Sequence, residues 1–217
     1  MQTEKKTFRT MTVKEKIEHI WEYYKLALFG FFAAIALLIY GISHLLFPDP
    51  EILLNVVLVN TGFMDEPEQD AFLRYLTEQG YDPERETISV NTGLYMNLEA
   101  ADQTSAISYQ AIAAMLLTGD LDLLVGNEDV ISLLGSGGGL SDLQELLPGE
   151  VLAKHQEQLY LMTGEESRES YVGGIWLTEG NPLMQDGYYE VPTLAAIPYS
   201  SGKQELAAEV MLYLLGE

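Results

Sequence analysis

The chain has 217 residues, 47% of them hydrophobic, and a formal charge of −22. That length holds one well-packed domain with an appendage, and the absence of cysteine excludes disulfides, thiolate metal sites, a thiol nucleophile and a cysteine-borne lipid anchor. Residues 1–25 carry six Lys/Arg against four Asp/Glu, net +2, whereas residues 48–217 carry five against twenty-nine, net −24. A body this acidic repels phosphate backbones, so nucleic acid is not expected as a partner.

In chain order, Thr12-Val13-Lys14-Glu15 reads as a capping box that opens a helix, and residues 1–25 form a basic, amphipathic segment. Residues 26–47 hold no Asp, Glu, Lys or Arg. As a helix they reach about 33 Å, enough for a hydrocarbon core of about 30 Å. They are predicted to span the lipid bilayer as an uncleaved anchor, because the run ends in Ser43-His44-Leu45-Leu46-Phe47-Pro48 rather than a small-x-small cleavage site. Lys14, Lys16 and Lys25 precede the span and the first cation after it is Arg74. This places the N-terminus in the cytoplasm and residues 48–217 outside the membrane. Trp21, Tyr23 and Tyr24 suit the inner headgroup belt, and Tyr40 and His44 the outer one. Gly30 and Ala34 form a small-xxx-small pair that would let two such helices approach closely.

Beyond Pro48 the pattern alternates between strands and helices. Residues 52–60, ILLNVVLVN, are a continuous β-branched run of the kind found in strands covered on both faces. Residues 66–79 place Phe72, Leu73, Tyr75 and Leu76 at helical spacing, stopped by Gly80. A strand over residues 87–91 follows. The two strands end alike, in Val59-Asn60-Thr61-Gly62 and Val90-Asn91-Thr92-Gly93, as two successive βα units would. A helix over residues 105–118 shows its apolar side through Ile107, Ala111, Ile112, Met115 and Leu116, and residues 121–126 form a third buried strand. The expected architecture is α/β: a transmembrane helix, then a single three-layer domain with a mostly parallel sheet.

The glycine-rich stretch VGNEDVISLLGSGGGLSDL contains neither G-x-x-x-x-G-K-[ST] nor G-x-G-x-x-G between strand and long helix. It reads as a short helix over residues 129–134, a loop over residues 135–139 and a second helix over residues 143–147 opened by Ser141 or Asp142, with the glycines as punctuation. Farther on, a helix is expected near residues 151–162, an acidic loop at residues 164–170, strands at residues 171–177 and 193–198, and a closing helix over residues 203–215. Ser201 and Gln204 form the capping box of that last helix.

LLTGDLDLLVGNEDVISLLGSGGGLSDLQELLP and TLAAIPYSSGKQELAAEVMLYLLGE resemble segments of extracytoplasmic solute-binding proteins: a helix ending at Gly-Asp, a strand, a short helix and a Leu-Gln-Glu-Leu-Leu-Pro stop, then the closing strand and final helix. KEKIEHIWEYYK before an anchor is similar to uncharacterised single-span membrane proteins of Gram-positive anaerobes. The resemblance implies one lobe of a fold that in solute-binding proteins has two lobes closing on a ligand.

Open α/β sheets bind ligands outside the carboxyl ends of their strands, so Asn60, Thr61, Asn91, Thr92, Gly126 and Asn127 are the candidate ligand-binding residues; turn formation also accounts for them. Ser200-Ser201-Gly202-Lys203 matches S-x-x-K without the companion S-D-N and K-T-G. The exterior domain has one histidine, His155. Glu165, Glu166 and Glu169 read as a solvated acidic face, and neither a metal nor a cofactor is expected. The function expected is a non-enzymatic, membrane-anchored domain that binds a small ligand or a neighbouring membrane or surface protein. The alternatives are an accessory subunit of a transporter-like assembly and a hydrolase built on Ser200 and Lys203.

Overall fold

The computed structural model describes residues 12–46, 49–62, 70–100, 102–163 and 170–217. The chain divides into two units, Met1–Asp49 and Pro50–Glu217. In the first, helix α1 (Val13–Leu46) begins directly after Thr12 and continues for 34 residues, about 51 Å at 1.5 Å per residue. Its window Lys25–Ile42 has a mean hydropathy of 2.1 and none of it is buried. The helix is therefore long and apolar enough to cross a membrane. Trp21, Phe29, Leu37 and Tyr40 are exposed along it, whereas the side chains of Tyr23, Tyr24 and His44, together with Phe47 and Pro48, lie outside the described residues.

The second unit contains β1 (Glu51–Val59), α2 (Ala71–Glu78), β2 (Glu86–Leu94), α3 (Gln103–Thr118), β3 (Leu123–Gly126), α4 (Glu128–Ser136), α5 (Leu143–Leu146), α6 (Gly149–Lys154), β4 (Leu159–Thr163), β5 (Ser170–Leu177), α7 (Pro182–Gln185), β6 (Thr193–Ala196) and α8 (Gln204–Leu215). The six strands form one sheet in the order β2-β1-β3-β6-β5-β4. β1 is parallel to both β2 and β3, while the β3–β6, β6–β5 and β5–β4 pairs are antiparallel. Four of the six strands therefore share a direction, and β4 and β6 oppose them.

The continuous apolar run of β1 is explained by cover on both faces. Leu54, Val56 and Leu58 enter one core with Phe72 and Tyr75 of α2, Leu143 of α5, Leu183 of α7 and Met211 of α8. Val57 and Val59 enter the other with Ile112 of α3 and Val130, Ile131 and Leu134 of α4. The result is the expected three layers. The chain moves from β1 to β2 in one direction and from β2 over β1 to β3 in the other, so α2 and α3 pack on opposite faces, as crossovers of one hand require.

Local signals set several boundaries. Asp70 caps α2 by accepting from Leu73 N at 2.7 Å, and Tyr81 N returns to Leu76 O at 2.9 Å past Gly80. Asp142 opens α5 by accepting from Gln144 N at 3.0 Å.

Three expectations need correction. Helix was expected through Met162, but α6 stops at Lys154 and residues 159–163 form edge strand β4, where pairing with β5 outweighs the local helical pattern. The glycines of residues 135–139 are not all a loop: Gly135 lies inside α4, where a Cβ would collide with Met162, and only Gly138, at φ +74, turns the chain. The Ser201–Gln204 capping box does not form. Ser201 Oγ donates to the buried Asp122 Oδ1 at 2.6 Å and accepts from Lys203 N at 3.0 Å, while Gln204 Nε2 reaches Ser141 Oγ at 3.1 Å and Tyr199 O at 3.0 Å. The acidic loop, with Glu165, Glu166 and Glu169, lies outside the described residues.

Candidate functional site

The order β2-β1-β3 makes the gap between the carboxyl ends of β1 and β3 a topological switch point, the place where open α/β sheets hold ligands. β1 ends at Asn60, which has φ 61 and is the non-glycine residue of positive φ among the described residues. Asparagine tolerates that left-handed conformation better than a bulky residue does. Its amide then closes the gap. Oδ1 accepts from Met96 N at 2.7 Å, and Nδ2 donates to Met96 O at 2.8 Å and to Asn127 Oδ1 at 3.0 Å. Because Met96 N is only a donor, the amide orientation is fixed by chemistry. Asn127 stands at the N-cap of α4 without making a side-chain cap; its oxygen is taken by Asn60 instead.

Tyr189 completes the plug. It is buried, and its hydroxyl lies 3.0 Å from Val59 O and 3.1 Å from Val125 O, across the ends of both strands. Burial pushes its phenol well above the usual range. The sequence did not single it out, since it lies where no periodicity assigns a topology. Gly126 faces Val59 and Val130 at ordinary contact distance. The candidate residues thus gather at one sheet edge, but as a filled seam. Thr61 Oγ1 donates to Thr92 O at 3.2 Å.

Asn91 and Thr92 differ from their expected places, because β2 continues to Leu94. Val57 pairs with Asn91 and Val59 with Leu94, a register shift that inserts a residue into β2, and Asn91 Oδ1 accepts from Gly93 N at 3.0 Å across it. The second Val-Asn-Thr-Gly is therefore a bulge within an edge strand rather than a strand end.

Beside the seam, on the other side of Met96, lies a groove of about 300 Å³ lined by Met96, Leu98, Asp102, Ala106, Tyr109 and Leu133 among others. Its wall is α3, a 16-residue helix with no charged side chain. The buried positions at its start are Ser105 and Ser108, whose hydroxyls accept from Asn97 N at 2.9 Å and Tyr95 N at 3.1 Å. Asp102 caps the helix on Ser105 N at 2.7 Å, and that bond holds its carboxyl below the usual range. Turning the serines inward turns apolar residues outward: Ile107 is 57% exposed and Leu117 is 88% exposed. Ile107, expected on the buried side, is the correction here.

The segment that forms the groove is acidic. Between Arg85 and Lys154 the sequence contains ten Asp/Glu and no Lys, Arg or His. Asp129 lies one turn before Leu133 on α4, and Glu99 and Asp102 follow Leu98. A second hollow, of about 520 Å³, is lined only by residues 201–206 and so has a single wall. There Lys203 Nζ donates to Ile52 O at 2.9 Å, which ties α8 to β1.

Elsewhere, Glu217 accepts from Lys154 Nζ and His155 Nε2, each at 2.6 Å, and these bonds draw its carboxyl below the usual range. Arg74 Nη1 lies 2.9 Å from Asp186 Oδ1. Among the described residues no group of three His, Asp or Glu side chains is placed to share a metal ion.

No protein-family model matches the chain, and neither a curated protein nor a solved structure matches it significantly.

Proposed function

We propose that this is a membrane-anchored, non-enzymatic protein whose acidic α/β unit binds a neighbouring membrane or surface protein. Residues 26–47 are the single-pass anchor, with residues 1–25 in the cytoplasm and residues 48–217 outside it. In architecture the exterior unit is one lobe of the extracytoplasmic solute-binding type, working as a docking module. One feature favours a protein partner over a small ligand held at the strand ends: the switch-point gap is occupied by Asn60, Asn127 and Tyr189. Against a Ser/Lys hydrolase, the Lys203 ammonium is engaged by the Ile52 carbonyl.

The observation that carries the reading is α3: an uncharged helix that leaves Ile107, Tyr109 and Leu117 in solvent, within residues 48–217 of net charge −24. Large apolar side chains exposed together on one uncharged helix favour an interaction site. A photo-crosslinking residue placed at Ile107 or Leu117 of the full chain in cells is expected to yield one discrete adduct with a membrane or surface protein. The same probe at Leu161 on β4, also exposed, is expected to yield none. A diffuse ladder from all three positions would sink the proposal.

A further inference from the structure

We infer that the groove between α3 and α4 receives a cationic amphipathic segment of the partner protein, with large apolar side chains seated on Met96, Tyr109 and Leu133 and Lys/Arg side chains facing Glu99, Asp102 and Asp129. This rests on the docking role proposed above and names the chemistry of its partner.

Shape and charge carry the inference together. The floor is preorganised: Asn60 pins Met96 through its N–H and its carbonyl, Asn97 Oδ1 accepts from Glu99 N at 3.0 Å and Ala100 N at 3.2 Å, and Ser105 holds Asn97 N. A groove already ordered loses little entropy when filled. Its lining is apolar and about 300 Å³ in volume, room for a few large apolar side chains, which an amphipathic helix delivers from one face. The carboxylates beside it are Asp102 in its lining, Glu99 next to Leu98, and Asp129 one turn before Leu133, and the segment between Arg85 and Lys154 that forms the groove contains no Lys, Arg or His. Such a field draws cationic partners and repels a second copy of this chain and anionic lipid alike.

The test uses the full chain in phosphatidylcholine nanodiscs and a fluorescent amphipathic helical peptide of leucine and lysine, with its leucine–glutamate counterpart as control. Saturable binding of the lysine peptide alone, weakening with added salt, is expected. Leu133→Glu and Leu98→Glu alter side chains that are 39% and 45% exposed, so the fold is expected to tolerate them, as an unchanged melting temperature will show. Each is expected to weaken binding at least about tenfold (about 1.4 kcal/mol), although each adds a negative charge. Equal or tighter binding by these variants means that attraction is general and the groove is not the site. Equal binding of both peptides, or groove-dependent dimerisation seen by mass photometry, overturns the inference as well. Should the lysine peptide fail to bind while crosslinks from Ile107 and Leu117 persist, the partner chemistry is wrong and the docking role stands. If both fail, the docking role falls too.

Discussion

Asn60 concentrates at one residue what holds the end of the sheet together. Its side chain makes three hydrogen bonds, to Met96 N, Met96 O and Asn127 Oδ1, from a backbone at φ 61. Removing them at about 1 kcal/mol each predicts that Asn60→Gly loses about 2–3 kcal/mol. Asn60→Ala is expected to lose about 0.5–1 kcal/mol more, since alanine's left-handed penalty exceeds the chain entropy that glycine adds to the unfolded state. Urea titration of the full chain in detergent micelles checks both numbers. Two variants as stable as the parent would mean that the amide is solvated rather than clamped. The consequence reaches beyond stability, because Met96 is the floor of the groove: loosening Asn60 should also blunt the groove's grip on the lysine peptide.

At the scale of elements, α4 and the edge hairpin meet through two glycines and one methionine. A Cβ on Gly135 of α4 or on Gly173 of β5 would collide with Met162 of β4, so Met162 fills the space that both leave open. Gly135→Ala is expected to lose no more than about 1 kcal/mol, because the helix propensity alanine gains offsets much of the overpacking against the flexible end of Met162. Because shortening Met162 makes room, Gly135→Ala with Met162→Ala is expected to cost less than the two single changes summed. Strict additivity in thermal unfolding would show that the helix simply shifts. This contact also marks where the sequence stopped being legible. Through residue 126 each strand is followed by a helix and then by a parallel strand, so β1, α2, β2, α3 and β3 are legible in order from hydrophobic runs and from the stop at Gly80. After residue 150 the pairing is antiparallel: residues 159–163 are a strand because β5, the next strand, lies alongside, and β6 is set between β5 and the sequence-distant β3. The face of α3 was misread for a related reason. Ser105 and Ser108 are buried because the N–H groups of Asn97 and Tyr95 need acceptors, a demand that no helical periodicity displays. Likewise Asn60, Gly126 and Asn127 lie at the carboxyl ends of β1 and β3 as the strand runs imply, whereas the Asn60–Asn127 bond, the bulge that holds Asn91 and Thr92, and Tyr189 lying across both strand ends depend on folded geometry.

For the whole molecule the decisive asymmetry is electrical: +2 before the apolar helix and −24 after it. Positive loops are retained on the cytoplasmic side, and the bias is counted in Lys and Arg near the ends of the span, with carboxylates contributing little. Lys14 and Lys16 precede the Lys25–Ile42 window and Lys25 opens it, while Arg74 is more than thirty residues beyond it. Protease added to intact cells, with any outer wall removed, is therefore expected to digest the unit Pro50–Glu217 and to leave a tag ahead of residue 12 untouched. Replacing Lys14, Lys16 and Lys25 by Gln halves the Lys/Arg count of residues 1–25 and adds no cation beyond the span, so a fraction of chains should invert and their Pro50–Glu217 unit survive. Placing Arg at both Leu37 and Ile39, midway in the window, adds about 2.5–3.5 kcal/mol per charge to insertion; these chains should leave the membrane fraction instead of inverting. The two variants separate orientation from anchoring. Full protection of the wild-type unit in intact cells, with digestion only after permeabilisation, would reverse the assigned sidedness, and the groove would then be facing partners in the cytoplasm.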